Sequence, residues 1–122
     1  MKIHTRRAVA YIATRIVTMS KSSAIYDYSQ SRYFNFDGVI QENIVEVFDY
    51  TLSKYISGSG SGSGGSFSLY HYGNRAYISL DVIGESFSGY DYHTRKYFSG
   101  TVSANAISLY DYEERKYFNF SV

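Results

Sequence analysis

The chain has no cysteine, which excludes a disulfide framework and thiolate chemistry and leaves the redox compartment unconstrained. No apolar run reaches the roughly 18 residues of a membrane-crossing helix, so no membrane partner is expected. No signal peptide is recognisable, and localisation stays open. Glycine-rich phosphate loops, nucleophile motifs and Cys/His metal spacings are all missing; no catalytic residue, metal ligand or cofactor is assigned. Charge of either sign is scarce in excess, with 12 Lys and Arg against 11 Asp and Glu and a formal net charge of +1. On that overall balance, nucleic acid is not an expected partner.

Tyrosine is what the chain has in abundance. Twelve of its 15 tyrosines fall in four copies of one pattern, Tyr-Asp/His-Tyr, four polar residues, Tyr-Phe/Ile. The copies are YDYSQSRYFNF from Tyr26, YHYGNRAYISL from Tyr70, YDYHTRKYFSG from Tyr90 and YDYEERKYFNF from Tyr110, and the last three are spaced by 20 residues. A fixed period of this kind marks one supersecondary unit used repeatedly. Aromatic and β-favouring residues flanking a short polar segment read as a β-hairpin. Treating the four polar residues as the turn pairs Tyr28 with Tyr33, Asp27 with Phe34 and Tyr26 with Asn35.

Alternation along the strands sorts side chains onto two faces. An apolar face collects Ile25, Phe34 and Phe36, then Phe67, Leu69, Ile78, Leu80 and Val82, then Phe87, Phe98 and Val102, and finally Ile107, Leu109, Phe118, Phe120 and Val122. The opposite face carries Tyr26, Tyr28 and Tyr33; Tyr70, Tyr72 and Tyr77; Tyr90, Tyr92 and Tyr97; and Tyr110, Tyr112 and Tyr117. Small polar residues interleave with these rings.

A sheet that is apolar on one side needs a second layer there. Residues 39–56 offer one, since Ile40, Ile44, Val47, Phe48, Leu52 and Tyr55 recur at helical spacing, with Asp37 as N-cap and Gly58 past the end. The β-branched run Val39, Ile40, Ile44, Val45, Val47 argues for a strand, but length and period favour the helix. Residues 7–19 suit a long strand, although their alanines and arginines are also good helix formers. The expectation is a mostly β, α+β fold: an antiparallel meander of about nine strands built from Tyr-rich hairpins, curved around or packed against one α-helix.

Residues 57–66, SGSGSGSGGS, alternate Gly and Ser, a composition that behaves as flexible coil. They read as an engineered linker inside a single domain spanning 1–122. Placing 66–122 ahead of 2–56 would put the hairpins in tandem, so the linker is expected to join the former termini of a circular permutant. Loop replacement and fusion are the alternatives.

Asp27, His71, Asp91 and Asp111 share one repeat position, on the apolar face beside the turn. Equivalent positions lie two strands apart, about 9–10 Å in a sheet, too far to share a metal ion whose ligands bind within roughly 2.0–2.6 Å. Bonding to turn amides or to Arg32, Arg95 or Arg115 is the expected role, with His71 a variant of it. Lys2, Arg6, Arg7, Arg15 and Lys21 all precede the first acid, Asp27, and form a local basic segment. The hairpin period resembles the repeats of choline-binding modules and clostridial toxin tails, without their tryptophan and glycine-aromatic signature, so no residue role is carried over.

Two functions fit this pattern. The tyrosine face is exposed, forming a non-catalytic binding or self-assembling surface for another copy, a protein or a glycan. Alternatively, the meander closes with the tyrosines inside, lining a cavity for a small ligand or an enzymatic site. A helix packed on the Ile/Phe/Leu face would send the tyrosines outward.

Overall fold

Each strand pairs with its neighbours along the chain, and the last returns to the first. The computed structural model describes residues 1–60 and 65–122. Among them, helix α1 (Ile3–Thr18) precedes ten strands: β1 (Ala24–Asp27), β2 (Arg32–Gln41), β3 (Ile44–Asp49), β4 (Lys54–Gly60), β5 (Ser66–His71), β6 (Ala76–Ile83), β7 (Ser86–Asp91), β8 (Lys96–Ser103), β9 (Ala106–Asp111) and β10 (Lys116–Ser121). All pairings are antiparallel, and β1 joins both β2 and β10, with Tyr26 opposite Ser121, to close an up-and-down barrel. Closure removes the exposed edges that an open sheet would present.

Four-residue turns connect β1–β2, β3–β4, β5–β6, β7–β8 and β9–β10 at one end of the barrel. Each finishes on a left-handed residue: Ser31, Ser53, Arg75, Arg95 or Arg115, with φ between 54° and 61°. The first turn runs from Tyr28 to Ser31, so Asp27 faces Arg32, Tyr26 faces Tyr33 and Ile25 faces Phe34. The sequence register is therefore corrected by two residues. Its cause is local: the Asp27 carboxylate accepts from the Ser29 amide at 2.9 Å, which starts the turn at Tyr28. A two-residue offset preserves side-chain parity, and the two faces are as expected. At the other end, two-residue loops have their first residue at positive φ (Glu42 55°, Gly84 60°, Ala104 52°), the mark of type II′ hairpins.

The apolar face points inward. Ile25, Phe36, Leu69, Ile78, Leu80, Phe98, Leu109 and Phe120 are all buried, and the layer covering them is α1, threaded through the barrel. Its residues from Thr5 to Thr14 are buried on every side, as for a helix surrounded by core. Ten strands enclose more room than eight, whose own side chains just fill the bore, and small residues such as Ala8, Ala10 and Ala13 keep the roughly 10–12 Å width of a helix within that space. Tyr11 stacks on Phe36 with ring centroids 4.7 Å apart and donates its hydroxyl to the Ser22 carbonyl.

Two element assignments are thus exchanged. Residues 7–19, expected as a strand, form most of α1, where helix propensity agrees with all-round burial and the search for one apolar stripe fails. Residues 39–56, expected as a helix, form the end of β2, all of β3 and the start of β4. Val45 and Val47 point inward while Ile44 stays exposed, so the β-branched run decided the outcome. Ser57–Gly60, expected as linker, are the end of β4 and pair with β5 through Gly58 opposite Leu69 and Ser59 opposite Ser68. Residues 61–64 of that expected linker lie outside the described residues.

Candidate functional site

The twelve tyrosines singled out by sequence all lie on the outer wall, gathered into four triads. In each, two directly opposed rings, Tyr26 and Tyr33 for example, meet edge to face. The first turn residue, Tyr28, packs on the same central ring from the other side. Tyr70 with Tyr72 and Tyr77, Tyr90 with Tyr92 and Tyr97, and Tyr110 with Tyr112 and Tyr117 repeat the arrangement, with centroids 4.8 to 4.9 Å apart throughout. Such edge contacts suit the positive rim and negative face of aromatic rings.

A fifth triad escaped the sequence pattern. Phe48 makes the same contacts with Tyr50 and Tyr55, at 5.0 and 4.9 Å, on the hairpin FDYTLSKYI. Its spacing matches the other copies, and Phe for Tyr at the first position hid it. With it, copies begin at residues 26, 48, 70, 90 and 110, unbroken in the written order. Neighbouring units are also stitched together, since Tyr72, Tyr92 and Tyr112 donate their amides to the carbonyls of Tyr55, Tyr77 and Tyr97 in the preceding hairpin. The triads consequently stand side by side as a belt around one end of the barrel. Between two of them runs an outer groove of about 700 Å³ that includes Asp81, Tyr90, Arg95, Tyr97 and Tyr112.

Behind the belt, inside the barrel, the second residue of each unit forms a ring of buried polar groups: Asp27, Asp49, His71, Asp91 and Asp111. As expected, these side chains satisfy turn amides, those of Ser29, Thr51, Asn74, His93 and Glu113. No group of three or more His, Asp or Glu among the described residues is placed to hold a metal.

The ring also receives the first turns of α1, whose N-terminal dipole favours negative charge. Arg6 donates to Asp111 at 3.1 Å and lies 3.7 Å over the Phe118 ring, and the Met1 amino group contacts Asp111 at 3.2 Å and Glu113 at 2.6 Å. Arg7 stacks 3.8 Å over Phe34; burial lowers its pKa, with Asp49 and Asp27 opposing the shift. Asn74 donates to Thr5 at 2.8 Å. Burial first, and His4 second, push the His71 pKa down to about 4. The basic segment noted in the sequence is thus divided. Arg6 and Arg7 lock the helix into the barrel, Arg15 donates to the Gly38 carbonyl farther along, and Lys2 and Lys21 are exposed.

Compared with protein-family models, curated proteins and solved structures, the chain has no match. No helix among the described residues is long and apolar enough to cross a membrane.

Proposed function

We propose that the outer aromatic belt is a non-catalytic recognition surface. The observation that supports this reading is the exposure of the flanking rings, 66% for Tyr33, 63% for Tyr97 and 65% for Tyr117. The wall around them carries small polar side chains such as Ser68, Ser79, Ser88 and Ser99. Tyrosine offers a large, stiff, amphipathic contact area and serine adaptable hydrogen bonds, the combination used by binding loops. A contiguous aromatic surface of this extent is also more than monomers usually leave uncovered, which makes a second copy, a protein or a glycan a reasonable occupant. The cavity alternative has less support, because the rings point away from a bore occupied by α1. A catalytic reading is weakened in the same way by buried carboxylates already engaged by their own turns.

The combined variant Tyr72→Ser, Tyr92→Ser, Tyr112→Ser tests the reading. Analytical sedimentation should show association of the parent that the variant loses, while the melting temperature stays within a few degrees. Unfolding of the variant would make those rings part of the fold and end the proposal.

A further inference from the structure

The net charge of +1 conceals a concentration of bases at one rim of the barrel. All five turns that carry the aromatic belt lead into exposed bases: Arg32, Lys54, Arg75, Arg95 with Lys96, and Arg115 with Lys116. Lys2 is exposed at the same end. The charged ends of Arg32 and Lys116 lie over the Phe34 and Phe118 rings at the barrel mouth, at 4.7 and 5.1 Å, and both residues stay exposed. Among the described residues none of these bases forms an ion pair. Exposed acids on these turns are confined to Glu113 and Glu114, and Glu113 is engaged by the Met1 amino group. Of the remaining outer acids, Glu42 and Glu85 lie in the opposite loops, whereas Asp37 stands opposite Phe48, Glu46 lies beside Phe48, Tyr55 and Tyr72, and Asp81 shares the groove with Tyr90 and Arg95. Only the fold gathers these bases, which are scattered along the sequence.

We propose that this rim binds single-stranded nucleic acid, with the bases of the turns meeting phosphates and the outward tyrosines stacking on nucleobases. The inference names the partner of the recognition surface above and rests on that reading. Interleaved positive charge and aromatic faces are what sequence-tolerant single-strand binding requires. The rim repeats its unit five times at intervals of two strands, about 10 Å, which suits a linear polymer that repeats both charge and flat rings. A second copy of the chain is the poorer fit, because its outer acids occupy unrelated positions rather than a repeated one. Duplexes hide their base faces, so single strands should be preferred.

The test is fluorescence anisotropy with a labelled oligothymidine of roughly 20 nucleotides, long enough for the site sizes of such platforms, beside a duplex of equal length and inorganic polyphosphate as competitor. Binding to the single strand should be at least about tenfold tighter than to the duplex and should weaken steadily with salt. The Tyr72/Tyr92/Tyr112→Ser variant should lose about tenfold or more, as three stacking rings are removed. A second variant, Arg75→Asn, Arg95→Asn, Arg115→Asn, keeps residues that tolerate left-handed φ and should lower the salt slope by about 2, near 0.7 for each phosphate contact. Melting curves accompany both variants.

An absence of binding at about 50 mM salt, where such contacts are strong, overturns the inference. So does binding that polyphosphate displaces fully and that the tyrosine variant leaves unchanged. If the parent associates with itself through the belt yet binds no oligonucleotide, the nucleic-acid inference falls and the recognition surface stands. If the tyrosine variant matches the parent in both association and binding, both readings fall.

Discussion

The Asp111 carboxylate on β9 accepts a hydrogen bond from Arg6 of the threaded helix at 3.1 Å and another from the Glu113 amide at 2.9 Å. One buried side chain thereby closes a hairpin turn and ties the helix to the wall. Asp91, one unit earlier, accepts from the His93 amide and the Thr94 hydroxyl of its own turn. The two positions are equivalent in the repeat and unequal in load.

Asn can still accept from a turn amide but cannot balance a buried guanidinium. Asp111→Asn should therefore cost about 3–5 kcal/mol, the range for breaking a buried ion pair. Asp91→Asn should cost about 1 kcal/mol, the scale of an ordinary hydrogen bond. Urea denaturation of the two variants distinguishes them, and equal losses would show that Arg6 contributes nothing through Asp111.

His71 gives the fold an acid dependence. Its folded pKa of about 4 lies below the unfolded value of 6.5, so the unfolded chain holds more protons between these limits. The associated stability is fully present above pH 6.5 and is lost as pH falls toward 4. The fully buried ring makes this loss about 3 kcal/mol. His71→Asn, which retains an acceptor for the Asn74 amide, should flatten the stability profile between pH 6.5 and 4. A profile as steep as the parent's would place the sensitivity in other groups.

Gly58 separates a strand from a spacer. A Cβ at this position would lie 2.0 Å from the Ser68 carbonyl oxygen and 2.9 Å from the Leu69 Cα, both backbone atoms of β5 that cannot swing aside. Gly58→Ala should lower stability by roughly 1–3 kcal/mol, as overpacking does, whereas Ser59→Ala, on an exposed residue, should be near neutral. Tolerance of both substitutions would mean that this stretch is spacer after all.

Phe118 and Phe48 occupy different positions of the repeat and have opposite surroundings. Phe118 lies inside beneath Arg6 and is nearly inaccessible, so Phe118→Ala should cost about 3–5 kcal/mol. Phe48 is the central ring of the fifth outer triad, so Phe48→Tyr should leave the melting temperature nearly unchanged and Phe48→Ala should cost well under the Phe118 loss. A large loss from Phe48→Tyr would place that ring inside the core.

Much of the wall was legible because its information is local. A period of 20 residues, alternation within each strand and a turn-forming Asp at one repeated place require no knowledge of distant contacts. From them followed the hairpins and the two faces of the sheet, while which face turned outward was left open until α1 was found in the bore. Phe48 shows the limit of that legibility: one missing hydroxyl broke the pattern, and a helical reading of residues 39–56 took its place.

The chain's own order of residues determined the repeat, the two faces of every hairpin and the bonding of the buried second residue to its own turn, since each depends on neighbours a few positions away. Closure of the sheet, the threading of α1 and the gathering of bases at one rim were decided only by tertiary structure. A helix destined for a barrel's interior is buried on all sides and carries no single apolar stripe to announce it. In the same way, bases scattered along the sequence are brought together only when five turns gather at one end of the barrel.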